Sequence, residues 1–552
     1  MNSFATKWRT QLAGYGASAF RSDFIAGITV GVVAIPLGMA LAIAAGVPPQ
    51  HGLYTVIVAG FLIALLGGSR FNVSGPTAAF VVILLPIVQQ YGLSGLLIAT
   101  VMSGVILLLM GVLRLGQLVR YVPLPVTVGF TAGIGFVIAF LQLKDLLGLT
   151  LASSPIHFIE KVEVYFQAGP TLIWSDALVG VASIMAFILW ARKKRAVPPH
   201  LIALLVGTGL ALVINHVGGL PHVTTLGEKF HYTLNGVTGQ GIPPVPPAFA
   251  LPWGENGLNM NTVLDLLPSA IAIALLGSIE SLLCAVVADG MTKTRHNPNR
   301  ELIGQGIGNI IAPFFAGIPA TAAIARTATN IRAGANSRVA SMIHAVFVLA
   351  AMIALSPVLS YVPMSALAGL LIMVAWNMSE APHFVRMVKL APRYDVAVLV
   401  SCFTLTVVFD MVVAVVVGMV LAIGLLVYRK VRRQHAIEAR THQHDDLLPS
   451  ISVHRLGGVL YFGASEKVFE KVAHDSSEHE TVVVDMSDVV SIDISALHYL
   501  EQCLNLLGEK KVYLVGLVPA LRNKIERVGL TSRPNVVLAD EVPAELRHTA
   551  NA

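Results

Sequence analysis

Asn72–Phe80 reads NVSGPTAAF, and about 240 residues later Gly317–Arg326 reads GIPATAAIAR. Both copies carry a Pro followed by a small-residue run with Thr, and both sit inside hydrophobic text. Gly and Pro interrupt helices, and an interrupted helix in lipid leaves backbone groups that must find partners. Two such breaks in matching places call for a common reason. The echo is not alone. RYVPLPVTVGF (Arg120–Phe130) resembles SYVPMSALAGL (Ser360–Leu370). Pro76 precedes Pro123 by 47 residues, and Pro319 precedes Pro363 by 44. Two features recur in one order at nearly one spacing.

The surrounding composition sets the class. The chain has 552 residues, of which 55% are hydrophobic and 12% charged. Soluble domains carry roughly 25% charged residues, so a polytopic membrane protein is expected. A net charge of +6 is too small for a nucleic-acid footprint. Cys284, Cys402 and Cys503 are far apart, which implies neither a disulfide frame nor a thiolate metal site. No nucleophile–base pair, cofactor motif or metal motif stands out, so an enzyme is not expected and no cofactor is implied. The N-terminal apolar run is too long for a signal h-region and contains Pro36, so it reads as a retained first span.

About fourteen apolar runs lie between residues 24 and 428. Lys and Arg favour the even-numbered loops, which places both termini on the cytoplasmic side of a bacterial inner membrane. Each echo falls on the third and fifth of seven spans, so the second half would enter the membrane inverted. Broken segments matched across inverted halves point to a transporter's midplane site. Thr77 and Thr321 are then expected to begin short helices whose N-termini face each other and hold a small anion. The plainer alternative is that Gly and Pro merely permit kinks and close packing. The domain reading is a segment 1–23, a transporter domain 24–428 with repeats at about 24–218 and 263–428, a basic linker 429–446, a soluble α/β domain 447–543 and a tail 544–552. In the soluble domain ISVHRL and GGVLYF read as a hairpin, followed by alternating helices and strands.

Glu280 in LLGSIESLLCAVVADG is the sharpest outlier, because an acid within a span is costly and faces the interior. It could carry a proton with the substrate, hold a cation, or serve only as a structural acid. Cys284 lies one turn on. Arg326 could add positive potential beside the anion or sit at the cytoplasmic mouth. Pro36, Gly38 and Met39 would line the site from the first span. GQGIGN (Gly304–Asn309) reads as close helix packing, since no basic residue follows as in a phosphate loop.

The segments DFIAGITVGVVAIPLGMALAIAAGVPPQHGLYT, GGSRFNVSGPTAAF, IESLLCAVVADGMT, GQGIGNIIAPFFAGIPATAAIARTATNIRAGA and VAWNMSE resemble the SulP family of anion transporters, and within it the carriers of C4-dicarboxylates. The resemblance implies fourteen spans as a seven-plus-seven inverted repeat, in core and gate domains, followed by a STAS domain. It implies a substrate site between spans 3 and 10, flanked by spans 1 and 8. Carried over, that marks Ser74, Gly75, Thr77, Ala320, Thr321 and Ala322 with Met39, Glu280, Cys284 and Arg326. Sodium-coupled bicarbonate relatives have Asp and Thr where this chain has Glu280 and Cys284, a departure that favours protons over sodium. The first span is read as lacking an acid. In VVVDMSDVVSIDISAL the position phosphorylated in anti-sigma antagonists is Ile494, which cannot take phosphate, and Ser495 is expected to cap the next helix. The expected function is proton-coupled uptake of succinate, fumarate or aspartate. The alternatives are a sulfate or bicarbonate carrier and a non-transporting sensor signalling through STAS. Expected partners are the anion, a coupling proton, lipid, a second copy in a homodimer and a cytoplasmic protein on the STAS domain.

Overall fold

The computed structural model describes residues 15–117, 123–155, 157–193, 197–217, 219–234, 236–254, 257–409, 417, 420–421, 424, 440–441, 451–460, 462–477, 479–530 and 533–546. Most of the expected last span, 411–428, its turn near Asp410, most of the linker and most of segment 1–23 lie outside them. The chain divides into two units, one of residues 1–119, 134–379 and 407–412, the other of residues 120–133, 380–406 and 413–552. Among the described residues, nine helices are long and apolar enough to cross a membrane.

In the first unit, α1 (Ala17–Ala44) and α2 (Pro49–Leu66) precede a two-residue strand, β1 (Ser74–Gly75), and α3 (Ala78–Val112). The runs read as spans three and four join in α3, but Gly92 breaks it with φ 67 and ψ −169. That backbone suits Gly alone among common residues. The first limb, 78–91, is therefore about 20 Å long, against a hydrocarbon core of roughly 30 Å. The echo Pro123 is followed directly by α4 (Leu124–Leu141). The first half continues with an amphipathic helix, α5 (Phe158–Gln167), and the spans α6 (Trp174–Ala191) and α7 (Pro199–Val217), and the stretch between the halves carries a hairpin, β2 (His231–Leu234) with β3 (Val237–Gln240).

The second half repeats the plan. α8 (Met260–Thr292) and α9 (Pro298–Ile311) lead to β4 (Thr321–Ala322) and the nine-residue α10 (Ile324–Arg332). At about 13 Å, α10 cannot cross a bilayer. α11 (Val339–Leu359) and α12 (Met364–Ser379) follow, the latter starting directly after Pro363. β1 pairs antiparallel with β4, Ser74 opposite Ala322 and Gly75 opposite Thr321. The two broken segments thus satisfy each other. Thr321 lies in the strand, so the expectation that it opens the helix is corrected: α10 begins three residues later, after Ala323. Nothing in a run of Ala and Thr marks which residue leaves the extended state.

Two further expectations change. The first helix begins at Ala17, before residue 24, and so includes Asp23. Hydropathy marks the apolar core of a span, not the polar turns that extend it. Asp23 accepts from the Asn336 and Ser337 N–H groups and from the Ser337 hydroxyl, at 2.6, 3.2 and 2.6 Å, so this acid is spent holding the turn before α11. GQGIGN does serve close packing. A Cβ on Gly306 would lie 2.6 Å from Leu108 N and 2.8 Å from the Gly104 carbonyl.

The second unit holds α13 (Ala381–Leu390), α14 (Arg393–Val408) and the soluble sheet. Five strands stand in the order β5 (Arg440–Thr441), β6 (Ile451–Leu460), β7 (Thr481–Ile492), β8 (Lys511–Val515) and β9 (Val536–Ala539), parallel except for β5. Helices α15 (Phe462–Asp475), α16 (Ile494–Leu507) and α17 (Pro519–Val528) connect them. Alternation along β7 buries Val482, Val484 and Met486 in one apolar cluster with Leu497, Leu500 and Leu504 of α16, and Val483 in another with Tyr513. The expected hairpin at ISVHRLGGVLYF is instead the single strand β6. Gly458, at φ 83, sits among register shifts against β7, so the Gly pair makes a bulge where a turn was read. Arg440–Thr441 belongs to the sheet and not to the linker. Asp493, not Ser495, caps α16, accepting from the Ala496 N–H at 2.8 Å. Ser495 lies buried inside the first turn.

Gly306→Ala is expected to lower the melting temperature of the purified protein by several degrees, since overpacking costs about 1–3 kcal/mol. Gly290→Ala, where a Cβ meets nothing within 4 Å, is expected to leave it unchanged or slightly higher.

Candidate functional site

The first lead-in, 68–73, is held by the opposite half. Glu301 of α9 accepts from the Gly68 and Ser69 N–H groups at 2.7 and 2.9 Å and from Asn72 Nδ2 at 2.8 Å. Thr327 of α10 accepts from the Val73 N–H at 3.0 Å. Ser74 accepts from Gln305 Nε2 at 3.2 Å. The chain then turns at Pro76 into α3, with Thr77 as the residue before its first turn.

Thr77 does not cap that turn with its own side chain. Its hydroxyl donates to Glu280 Oε2 at 2.9 Å. Thr321, on the paired strand, donates to the Gly277 carbonyl at 3.0 Å and shares a 2.6 Å hydrogen bond with Ser281. Both crossover threonines are therefore fastened to one helix, α8. The spacing 277, 280, 281 places their partners on one helical face. These polar anchors come from the second half, and α1 carries Met39, which is fully buried.

Arg326 lies in the first turn of α10 and is only 3% exposed. Its Nη2 donates to the Pro76 carbonyl, while its Nη1 is buried with no hydrogen-bond partner among the described residues. Gly75 makes room for it: a Cβ there would lie 2.5 Å from Nη1. Its guanidinium, from the second half, is buried against the backbone of the first break. Cys284 is fully buried and donates to Thr327 Oγ1 of α10 at 3.1 Å. Ser74, Gly75, Thr77, Thr321, Ala322, Glu280 and Arg326 are brought together. Ala320 is drawn toward α9, and Met39 enters no polar contact with them.

Sequence reasoning missed Gln305, Asn309, Glu301 and Thr327. Gln305 lies between the glycines of GQGIGN and Asn309 follows the last of them. The four-residue spacing of Glu301, Gln305 and Asn309, which lines three polar side chains along one helix face, is the signal that could have found them. The arrangement provides two helix N-terminal turns without side-chain caps, a buried guanidinium with a spare donor and one carboxyl. Such a set has the chemistry to hold an anion and to exchange a proton. Gly75→Ala is expected to displace the guanidinium and weaken binding of small anions at least about tenfold, read by titration of sulfate, bicarbonate and succinate into purified protein.

Comparison with known proteins assigns the family. The Sulfate permease family matches residues 20–402, and the STAS domain matches residues 439–540. The putative sulfate transporter YvdB of Bacillus subtilis is 39% identical over 526 residues, covering 94% of this chain and 95% of that protein. The bicarbonate transporter BicA of Picosynechococcus is 28% identical over 543 residues, covering 93% and 91%. Among solved structures, the transmembrane domain of a cyanobacterial BicA aligns with TM-score 0.61 at 25% identity, covering 74% of this chain and 98% of that one. The structure of SLC26A9 aligns over 94% and 89% with TM-score 0.66 at 19% identity, a likeness of fold. The chain belongs to the sulfate permease family and ends in a STAS domain.

Proposed function

We propose that this permease is a secondary active anion carrier that takes up C4-dicarboxylates such as succinate, fumarate or aspartate together with a proton. The observation that carries the anion reading is Arg326. A buried guanidinium with an unpaired donor is costly in an apolar setting, and an anion at Nη1 offsets that cost. The turns opening α3 and α10 add N–H donors, and the positive ends of both helix dipoles act on the same ligand.

Coupling follows from the Thr77–Glu280 bond. While Glu280 is ionised it can only accept, so the Thr77 hydroxyl is committed to it. Once Glu280 takes a proton, it becomes the donor and Thr77 accepts. The Thr77 hydroxyl hydrogen is then free to donate to the anion at the start of α3. Protonation also removes a negative charge from beside the incoming anion. Both effects make the proton and the anion bind together and leave together, as symport requires. Acidification on the uptake side therefore favours loading.

A second reading, sulfate or bicarbonate on the same scaffold, is favoured by the names of the relatives above. Backbone donors and one guanidinium discriminate weakly among small anions, so flux must separate the two. The wider reading places the carrier in a bacterial inner membrane, with both termini and the STAS domain cytoplasmic. It also makes the protein a homodimer, with STAS as a docking site for a cytoplasmic protein.

The test is uptake into proteoliposomes under an imposed pH gradient. Succinate uptake is expected to rise as the outside is acidified, and Glu280→Gln, locked in the neutral form, is expected to flatten the pH profile. Sulfate or bicarbonate flux without succinate flux would move the assignment to the second reading. No flux of any anion would leave a sensor acting through STAS. A Glu280→Gln variant with the wild-type pH profile would remove the coupling role.

A further inference from the structure

The segment 318–322 is extended and buried, so each of its N–H and C=O groups needs a partner. In an extended chain, alternate residues direct their backbone groups to the same edge. Thr321 and Ala323 face β1: Thr321 pairs with Gly75, and the Ala323 N–H donates to the Val73 carbonyl at 3.0 Å. Ile318, Ala320 and Ala322 face the other way, where no strand lies beside them among the described residues.

Three side chains stand where that strand would be. Thr55 Oγ1 of α2 accepts from the Ile318 N–H at 2.7 Å, and its single proton is shared between the His51 carbonyl at 2.8 Å and the Ile318 carbonyl at 3.0 Å. Asn309 of α9 accepts from the Ala320 N–H at 2.8 Å through Oδ1 and donates to the Ala320 carbonyl at 2.9 Å through Nδ2. Ser281 Oγ of α8 accepts from the Ala322 N–H at 3.2 Å. The Asn309 carboxamide serves both backbone groups of Ala320, as a facing peptide unit does, and the Thr55 hydroxyl takes the Ile318 N–H. Thr55 and Asn309 are both buried, and they come from opposite halves of the sequence.

We propose that Thr55 and Asn309 are positioning residues for the anion site. They fix the register of the second crossover strand, and that register sets where the first turn of α10 and Arg326 arrive. A slip of one residue would turn Thr321 away from α8 and Ala322 toward it. Thr55 touches neither Arg326 nor Glu280, so its effect on the anion passes entirely through the strand. The transport readout of this inference rests on the carrier reading above, and its exchange readout does not.

The full-length protein in nanodiscs and proteoliposomes supplies the test. Thr55→Val keeps the side-chain size but loses the hydroxyl, and Thr55→Ser keeps the hydroxyl. Asn309→Leu loses both amide bonds. Thr55→Val and Asn309→Leu are expected to speed amide hydrogen exchange in the peptide 316–323 at least about tenfold, with Thr55→Ser within about twofold of wild type. In uptake of succinate, sulfate or bicarbonate, the same two variants are expected to raise KM about tenfold while the maximal rate per folded molecule stays within about twofold. Unchanged exchange in Thr55→Val would overturn the proposal. So would Thr55→Ser being as damaging as Thr55→Val, because the site would then need the methyl group and not the hydrogen bonds. If wild type moves none of the three anions, the carrier reading fails, and the exchange comparison still decides the positioning role.

Discussion

The pairing of Ser74–Gly75 with Thr321–Ala322 is the constraint on which the remainder of the membrane domain depends. Each half of the chain breaks a span with Gly and Pro. Each break exposes backbone groups that an apolar environment cannot satisfy, at a cost of several kcal/mol per group. Neither half can remove that cost alone. Brought together antiparallel, the two breaks supply partners to each other, and side chains from α2, α8 and α9 take the remaining edge. The cost of the interruption is thereby largely offset while two helix ends stay directed at one place. A site that uses main-chain donors for a mobile anion needs just such a break, since an unbroken helix spends its N–H groups on itself.

The halves share a plan but not a chemistry. Thr77 and Thr321 occupy corresponding breaks, yet both are tied to α8, through Glu280 and through Gly277 with Ser281. The first helix, its counterpart, contributes Met39 and an apolar surface, and its own acid, Asp23, is occupied at the turn before α11. Arg326 likewise comes from the second half only. Repetition therefore builds the frame, and divergence between the repeats places one acid and one base within it. Of the two threonines, only Thr77 is bonded to a carboxyl.

Much of this was legible in the residues. Composition marks a membrane protein, the doubled Pro-Thr-Ala text marks the breaks, and Glu280 stands out because acids are expensive in spans. The text after GIPAT offered Arg326 with two placements, and the structure buries it against the first break. What was not legible has a common cause. Strand register, as between Gly75 and Thr321, is set by contacts 240 or so residues away, which no local pattern encodes. The start of α10 was misplaced because Ala and Thr carry no capping preference strong enough to fix it. Gln305 and Asn309 were absorbed into a glycine packing motif, although the glycines bring the helices close and the amides then bind what is brought close. In the soluble domain the Gly457–Gly458 pair reads equally as turn or bulge, and parallel pairing with β7 selects the bulge.

The most direct measurement of the central claim is a cross-link across the two breaks. A chain carrying Ser74→Cys and Ala322→Cys, with Cys284, Cys402 and Cys503 replaced by Ala, is oxidised in membranes and then cleaved in the segment 219–262 between the halves. Facing residues of an antiparallel pair lie within disulfide reach, about 4.4–6.8 Å between Cα atoms. The account predicts that the two fragments stay joined until a reductant is added. Fragments that separate without reductant, in protein that oxidises fully at a control pair within the STAS sheet, would contradict it.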